Sequence, residues 1–218
     1  MSERNIIFED KLENEKKDLR KSLFNKLRDK FPSYKCDIEV PVPYKHIYLH
    51  KKSKNILEIW CFKQDIVFYK VLFDKKVKYR ECKIQCSNNQ FIEVVLEKDN
   101  AQNTKDVGIP FVIIEVKSKQ PNSHEILAYS KKFEMIKTIF PFCKFIFCVF
   151  GKISPRTYRH GVNFDYIISL SSKLEGKELK QLEDNVKELL DKAEKELKRL
   201  SEKNLLKQSE IRKINLKE

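Results

Sequence analysis

Glu115 and Lys117 stand one residue apart at the end of the most apolar stretch of the chain, Gly-Ile-Pro-Phe-Val-Ile-Ile-Glu-Val-Lys-Ser-Lys at positions 108–119. An apolar run of this length, rich in β-branched residues, predicts a strand buried on both faces. Side chains two apart on a strand share a face, so Glu115 and Lys117 point one way and Val116 the other. Opposite charges that end a buried strand are costly unless they have partners or a task. A carboxylate can hold a divalent cation, and an ammonium beside it can steady a water or a phosphoryl oxygen. That chemistry suits phosphodiester hydrolysis. The tripeptide alone says nothing, because Glu-x-Lys recurs at Glu15/Lys17, Glu81/Lys83, Glu175/Lys177, Glu178/Lys180 and Glu196/Lys198. Those copies lie in polar, mostly helical surroundings, where such pairs are solvated surface. The competing interpretation of Glu115/Lys117 is a strand-end ion pair.

Several elements must position this pair. Residues 91–97, Phe-Ile-Glu-Val-Val-Leu-Glu, predict a strand, and the polar residues 99–106 predict a loop leading into the apolar run. An antiparallel hairpin is the economical arrangement. With Leu96 opposite Val112, Glu93 falls opposite Glu115 on the same face. Two adjacent carboxylates repel unless a cation sits between them, which predicts a metal site. Downstream, Ser123 is a candidate N-cap for a helix reaching Phe140, Pro141 stops it, and residues 145–150 predict another buried strand. Strand, helix, strand predicts a parallel crossover. Residues 156–160 read as a loop, and 164–170 as a last strand.

Upstream, Leu12, Leu19, Leu23, Phe24, Leu27 and Phe31 predict an amphipathic helix over residues 9–31, stopped by Pro32. Strands are expected at 37–40, 47–49, 56–62 and 65–73, with prolines 41 and 43 as breaks and Lys63-Gln64 as a hairpin link. From residue 172 onward Leu179, Leu182, Val186, Leu189 and Ala193 form a narrow apolar seam on a long helix. It either docks on the domain or pairs as a coiled coil, and its thinness and charged flanks favour a homodimer. The expected organisation is a domain over 1–171 and a helical extension over 172–218.

The chain has 218 residues and carries 45 Lys+Arg against 32 Asp+Glu, a net charge of +13. That excess favours a polyanionic partner, DNA first. Lys75, Lys76, Lys78 and Arg80 surround one aromatic residue, and Lys119, Arg156 and Arg159 lie near the predicted strand ends, so these are the candidate phosphate contacts. Of the six cysteines, Cys82 and Cys86 are four apart but lack a second close pair and a His at ligand spacing, which argues against zinc. Cys61, Cys143 and Cys148 sit in or beside apolar runs as small buried hydrophobes, so a reducing, cytoplasmic setting is expected. The polar N-terminus does not read as a signal peptide, and no apolar run approaches the roughly 20 residues of a membrane span.

With Gly108-Ile109-Pro110 and Ile114-Glu115-Val116-Lys117-Ser118-Lys119 inside a helix, strands, Glu-x-Lys strand, helix, strand order, the chain resembles the PD-(D/E)xK nuclease superfamily. The Gly-x-Pro entry is similar to the nuclease domain of type I restriction motor subunits. The resemblance is most specific over residues 90–150 and rests on element order alone over 9–170. It implies an α/β restriction-endonuclease-like core, a mixed central sheet flanked by helices in αβββαβ order, with the long C-terminal helix added. It implies a DNA endonuclease using Mg²⁺ or Mn²⁺, of which a restriction endonuclease is one form. Glu115 and Lys117 inherit roles on the metal and the attacking water, and an upstream acid completes the metal site. No Pro-Asp pair precedes the motif, so that acid is Glu93 or Asp106, with Glu93 the better fit to the hairpin. A non-catalytic basic DNA-binding or assembly module is the alternative.

Overall fold

The computed structural model describes residues 3–49, 56–71, 77–83, 89–95, 104–105, 108–174 and 176–203, with side chains described at 14, 16–44, 61–70, 108–174 and 176–203. In chain order the elements are α1 (Glu3–Leu27), β1 (Lys35–Leu49), β2 (Ile56–Val71), β3 (Val77–Lys83), β4 (Asn89–Val95), β5 (Thr104–Lys105), β6 (Gly108–Lys117), α2 (Ser123–Ile139), β7 (Lys144–Phe150), α3 (Pro155–His160), β8 (Tyr166–Leu170) and α4 (Gly176–Glu202). The fold is α/β. Strands β1, β2, β6, β7 and β8 lie side by side as a mixed sheet, antiparallel from β1 to β6 and parallel from β6 to β8. Strands β4, β3 and β5 branch from the first half of β2.

The long second strand organises this layout. Its positions Ile66 and Ile59 each pair with β1 on one edge, and on the other edge with β6 and β4 respectively. The ladder with β4 ends at Phe62 and the ladder with β6 begins at Ile66, so Lys63, Gln64 and Asp65 face a fork. Lys63-Gln64 is therefore not the expected hairpin link, because β2 runs through it. Prolines 41 and 43 likewise do not break β1. Among the described residues β1 pairs with β2 alone, an edge position that can spare ladder donors, and its register shifts between Pro43 and Ile47. Pro110 enters β6 at another register shift, between Phe68 and Tyr69, and Gly108 sits where the Tyr69 ring would collide with a Cβ at 2.2 Å.

The expected hairpin between residues 91–97 and 109–117 is replaced. Val112 pairs with Phe68 on one side and Lys144 on the other, which leaves no edge of β6 for Leu96. The strand, helix, strand crossover holds: β6 and β7 pair in parallel with Ile114 opposite Ile146. The N-cap of α2 is Asn122, one residue before the expected Ser123, in a reciprocal capping box with Glu125. The stretch read as a loop over 156–160 is the short helix α3, opened by Pro155.

Alternation along the strands builds two cores. Ile66, Phe68, Val112, Ile114, Val116, Ile146 and Cys148 bury against Leu23 and Leu27 of α1 and against Leu182, Val186, Leu189, Leu190 and Ala193 of α4. Val67, Ile113 and Phe145 face the opposite way, against Phe133 and Ile136 of α2. The seam of α4 is thus spent on the chain's own sheet, which corrects its expected use in a homodimer. Polar ties hold the docking: Tyr34 donates to Glu194 at 2.6 Å, and Lys144 pairs with Glu196 at 2.6 Å. Helix α4 packs its apolar side into the core of the sheet.

Candidate active site

Glu115 and Lys117 follow Ile113 on the α2 face of β6. Glu115 is 3% exposed, and Lys117 Nζ lies 3.4 Å from its Oε1. Carrying the register Ile66 opposite Ile114 one residue further sets Asp65 opposite Glu115. Asp65 stands at the fork, where Val116 has no β2 carbonyl to bond. Its carboxylate substitutes for the ladder: the Val116 N–H donates to Oδ2 at 2.9 Å. The acid opposite Glu115 is therefore Asp65 rather than the expected Glu93. Glu93 pairs with Glu58 and Arg80, and Glu58 lies seven residues from Asp65 along β2, roughly 23 Å of extended strand.

Helix α1 supplies cations to the fork. Arg20 Nη1 donates to Asp65 Oδ1 at 3.0 Å and Nη2 to Glu39 Oε1 at 2.6 Å. One turn earlier, Lys16 Nζ lies 3.1 Å from Asp65 Oδ2 and 3.7 Å from Glu115 Oε1. The result is a row of acids from three adjacent strands, Glu39, Asp65 and Glu115, with Arg20 and Lys16 set into the two gaps. The match is geometric: four helical residues advance about 6 Å, and neighbouring strands lie about 4.8 Å apart. Glu39 also pairs with Lys63 at 2.7 Å and holds a left-handed backbone, φ 54°, which a side-chain-bearing residue adopts only under constraint. At Glu39 the edge strand switches faces, with Ile38 packed against the α1/α4 core and Val40 against the α2 core.

Helix α2 closes the other side. Lys117 donates to the Tyr129 hydroxyl and also lies over the Tyr129 ring at 3.8 Å. Lys132, one turn on, stands 4.8 Å from the same ring and 5.3 Å from that of Phe62. Lys16, Arg20, Lys117 and Lys132 thus stand against the three acids Glu39, Asp65 and Glu115, a small surplus of positive charge compatible with an anion.

The two acids are driven apart in acidity. Burial, followed by the neighbouring Asp65 charge, pushes Glu115 up to about 7 against the pull of Lys117 and Lys16. Burial also disfavours the Asp65 anion, but Lys16, the Val116 N–H and Arg20 together hold it below the usual carboxylate range. Burial lowers the Lys132 ammonium, with Glu115 opposing. Burial and Glu115 raise the Tyr129 phenol.

The remaining expected contacts are dispersed. Lys119 is exposed two residues beyond Lys117. Arg156 and Arg159 are exposed on α3, and Arg156 lines a cleft of about 510 Å³ with Ser154 and residues 120–124 at the carboxyl ends of β6 and β7. The backbones of Lys78 and Arg80 belong to β3, on the branch away from β6. Asp106, Lys75 and Lys76 lie outside the described residues. No group of three or more His, Cys, Asp or Glu side chains gathers as a metal cage among the described residues, and no described helix is long and apolar enough to cross a membrane. Comparison with protein-family models and with curated proteins finds no match to the chain.

Proposed function

We propose that the chain is a divalent-cation-dependent DNA endonuclease of the PD-(D/E)xK type, with Asp65, Glu115 and Lys117 as its catalytic set. The observation that carries this reading is the placement of Asp65 opposite Glu115 across β2 and β6, with Lys117 two residues along on the Glu115 face. An acid, a second acid and a lysine on one side of a strand fork is an arrangement that can hold a divalent cation beside a cationic group, chemistry suited to phosphodiester hydrolysis.

The residues fit a hard cation. Two carboxylates offer an all-oxygen donor set, and the space between them accepts the Lys16 ammonium, so it already accommodates positive charge. Mg²⁺ commonly binds through one or two carboxylates with water and substrate phosphate filling the remaining positions. Asp65 and Glu115 would hold Mg²⁺ or Mn²⁺, which supplies Lewis-acid polarisation of the phosphate and a more acidic water. Lys117, anchored between Glu115 and Tyr129, orients the attacking water and offsets charge as the phosphorane-like state develops. Lys132 adds positive charge from α2 on the same side. Lys119, Arg156 and Arg159 give sequence-independent grip on the DNA backbone.

The test is supercoiled plasmid incubated with the purified chain in Mg²⁺, beside an EDTA control and the Glu115→Gln and Lys117→Met variants. Metal-dependent nicking or linearisation that both variants lose is the expected result. Intact plasmid throughout, with wild type and variants binding DNA equally, would sink the nuclease and leave a binding module whose Asp65/Glu115/Lys16 network is structural.

A further inference from the structure

Between the two carboxylates of the site stands a side chain that hydrolysis itself does not call for. Asp65 Oδ1 is taken by Arg20, whereas Oδ2 is the oxygen that Lys16 shares with Glu115 Oε1, at 3.1 and 3.7 Å. Buried acids on adjacent strands repel when both are ionised, and a cation in contact with both relieves that repulsion in the metal-free protein. Arg20 is committed to Asp65 and Glu39, and of the two acids Lys117 pairs with Glu115. Lys16 is the described cation that touches both acids.

We infer that Lys16 is an internal counter-ion that occupies the divalent-cation position in the metal-free protein and is exchanged for the metal when it binds, an inference that rests on the nuclease reading of Asp65 and Glu115. A divalent ion bonds carboxylate oxygens at about 2.0–2.2 Å and cannot share the space with an ammonium already in contact with both. Its greater charge wins the exchange. The displaced ammonium has somewhere to go, because the Lys16 side chain is 25% exposed and ends a flexible four-carbon stem. Only side-chain rotation is needed, since Leu23 and Leu27 keep α1 fixed in the core. The exchange has two consequences. The metal-free fold is protected from carboxylate repulsion, and metal affinity is set below that of a bare carboxylate pair.

The measurement is Mn²⁺ binding to the full chain by titration calorimetry and by electron paramagnetic resonance, comparing wild type, Lys16→Met and Asp65→Asn. Lys16→Met is expected to bind Mn²⁺ about tenfold more tightly or better. In EDTA the same variant is expected to melt at a lower temperature than wild type. A parallel readout uses wild type alone: amine-reactive labelling read by mass spectrometry, in which Mn²⁺ raises the reactivity of Lys16. Equal or weaker Mn²⁺ binding by Lys16→Met, with binding still abolished by Asp65→Asn, overturns the exchange and leaves the nuclease reading standing. Unchanged Lys16 labelling on Mn²⁺ saturation overturns it as well. Mn²⁺ binding that Asp65→Asn does not touch overturns both.

Discussion

Asp65 on β2 and Glu115 on β6 face each other at the point where the β2–β6 ladder opens, and one lysine ammonium lies within 3.7 Å of both carboxylates. The site is thus made by a strand pair that stops pairing, with the first acid bonding the second strand's orphaned amide. Asp65→Asn keeps an oxygen acceptor for the Val116 N–H but removes the charge. Its Mg²⁺-dependent plasmid cleavage is expected to fall by about 100-fold or more, with a melting temperature showing that it remains folded. Glu93→Gln is expected to cleave like wild type. The reverse pattern in a plasmid assay would favour Glu93 on β4 over Asp65 as the acid of the proposed site.

The opposed acidities of the two acids give a signature in stability against pH. Glu115 is raised from 4.5 to about 7, so its contribution is complete below pH 4.5 and is lost as pH climbs through 7. Asp65 is lowered from 3.8, so its contribution is complete above pH 3.8 and is lost as pH falls further. In EDTA, the stability of Glu115→Gln relative to wild type is expected to rise between pH 4.5 and 7 by up to about 3 kcal/mol and then level off. Urea denaturation at a series of pH values measures this, and a flat difference would refute it.

Leu189 is 1% exposed beneath α4, in the same cluster as Val112 and Ile146. Leu189→Ala is expected to cost about 3 kcal/mol in denaturant titrations. Its mass in sedimentation equilibrium should match that of wild type at every concentration. A concentration-dependent midpoint that the variant abolishes would instead place the seam between two copies.

The proposed grip on the DNA backbone is tested by salt dependence. Replacing Lys119, Arg156 and Arg159 together with Ala is expected to shallow the slope of log affinity against log salt by about 0.9 for each phosphate that is no longer neutralised. Fluorescence anisotropy on a labelled duplex in EDTA gives that slope. Asp65→Asn should leave it unchanged, and an unaltered slope in the triple variant would remove these residues from the interface.

The apolar run ending in Glu-x-Lys is legible in the sequence because it depends on local pattern alone, and Glu115 is indeed buried at its end. The crossover from β6 through α2 to β7 is legible for the same reason. Asp65 is not, for two physical causes. Lys63-Gln64-Asp65 interrupts an apolar pattern and so looks like a turn, whereas its polar side chains occupy a fork inside a continuous strand. Short loops favour pairing of sequence neighbours, which points β6 at residues 91–97. Burial on both faces instead joins β6 to β2, about 40 residues away. A signal does exist in α1. Lys16 and Arg20 continue the four-three-four row that Leu23 and Leu27 belong to, so two cations sit where an amphipathic pattern asks for apolar residues.

That row has a phase as well as a composition. Leu23 and Leu27 fix the rotational setting of α1 against the sheet, and Arg20 and Lys16 are delivered to their gaps only in that setting. One residue inserted between Arg20 and Leu23 would turn both cations about 100° away from the acids while Leu23 and Leu27 stayed seated in the core. The segment from Lys16 to Leu27 therefore behaves like a key cut to length: it accepts changes of residue type on its outer face far more readily than any change in its count.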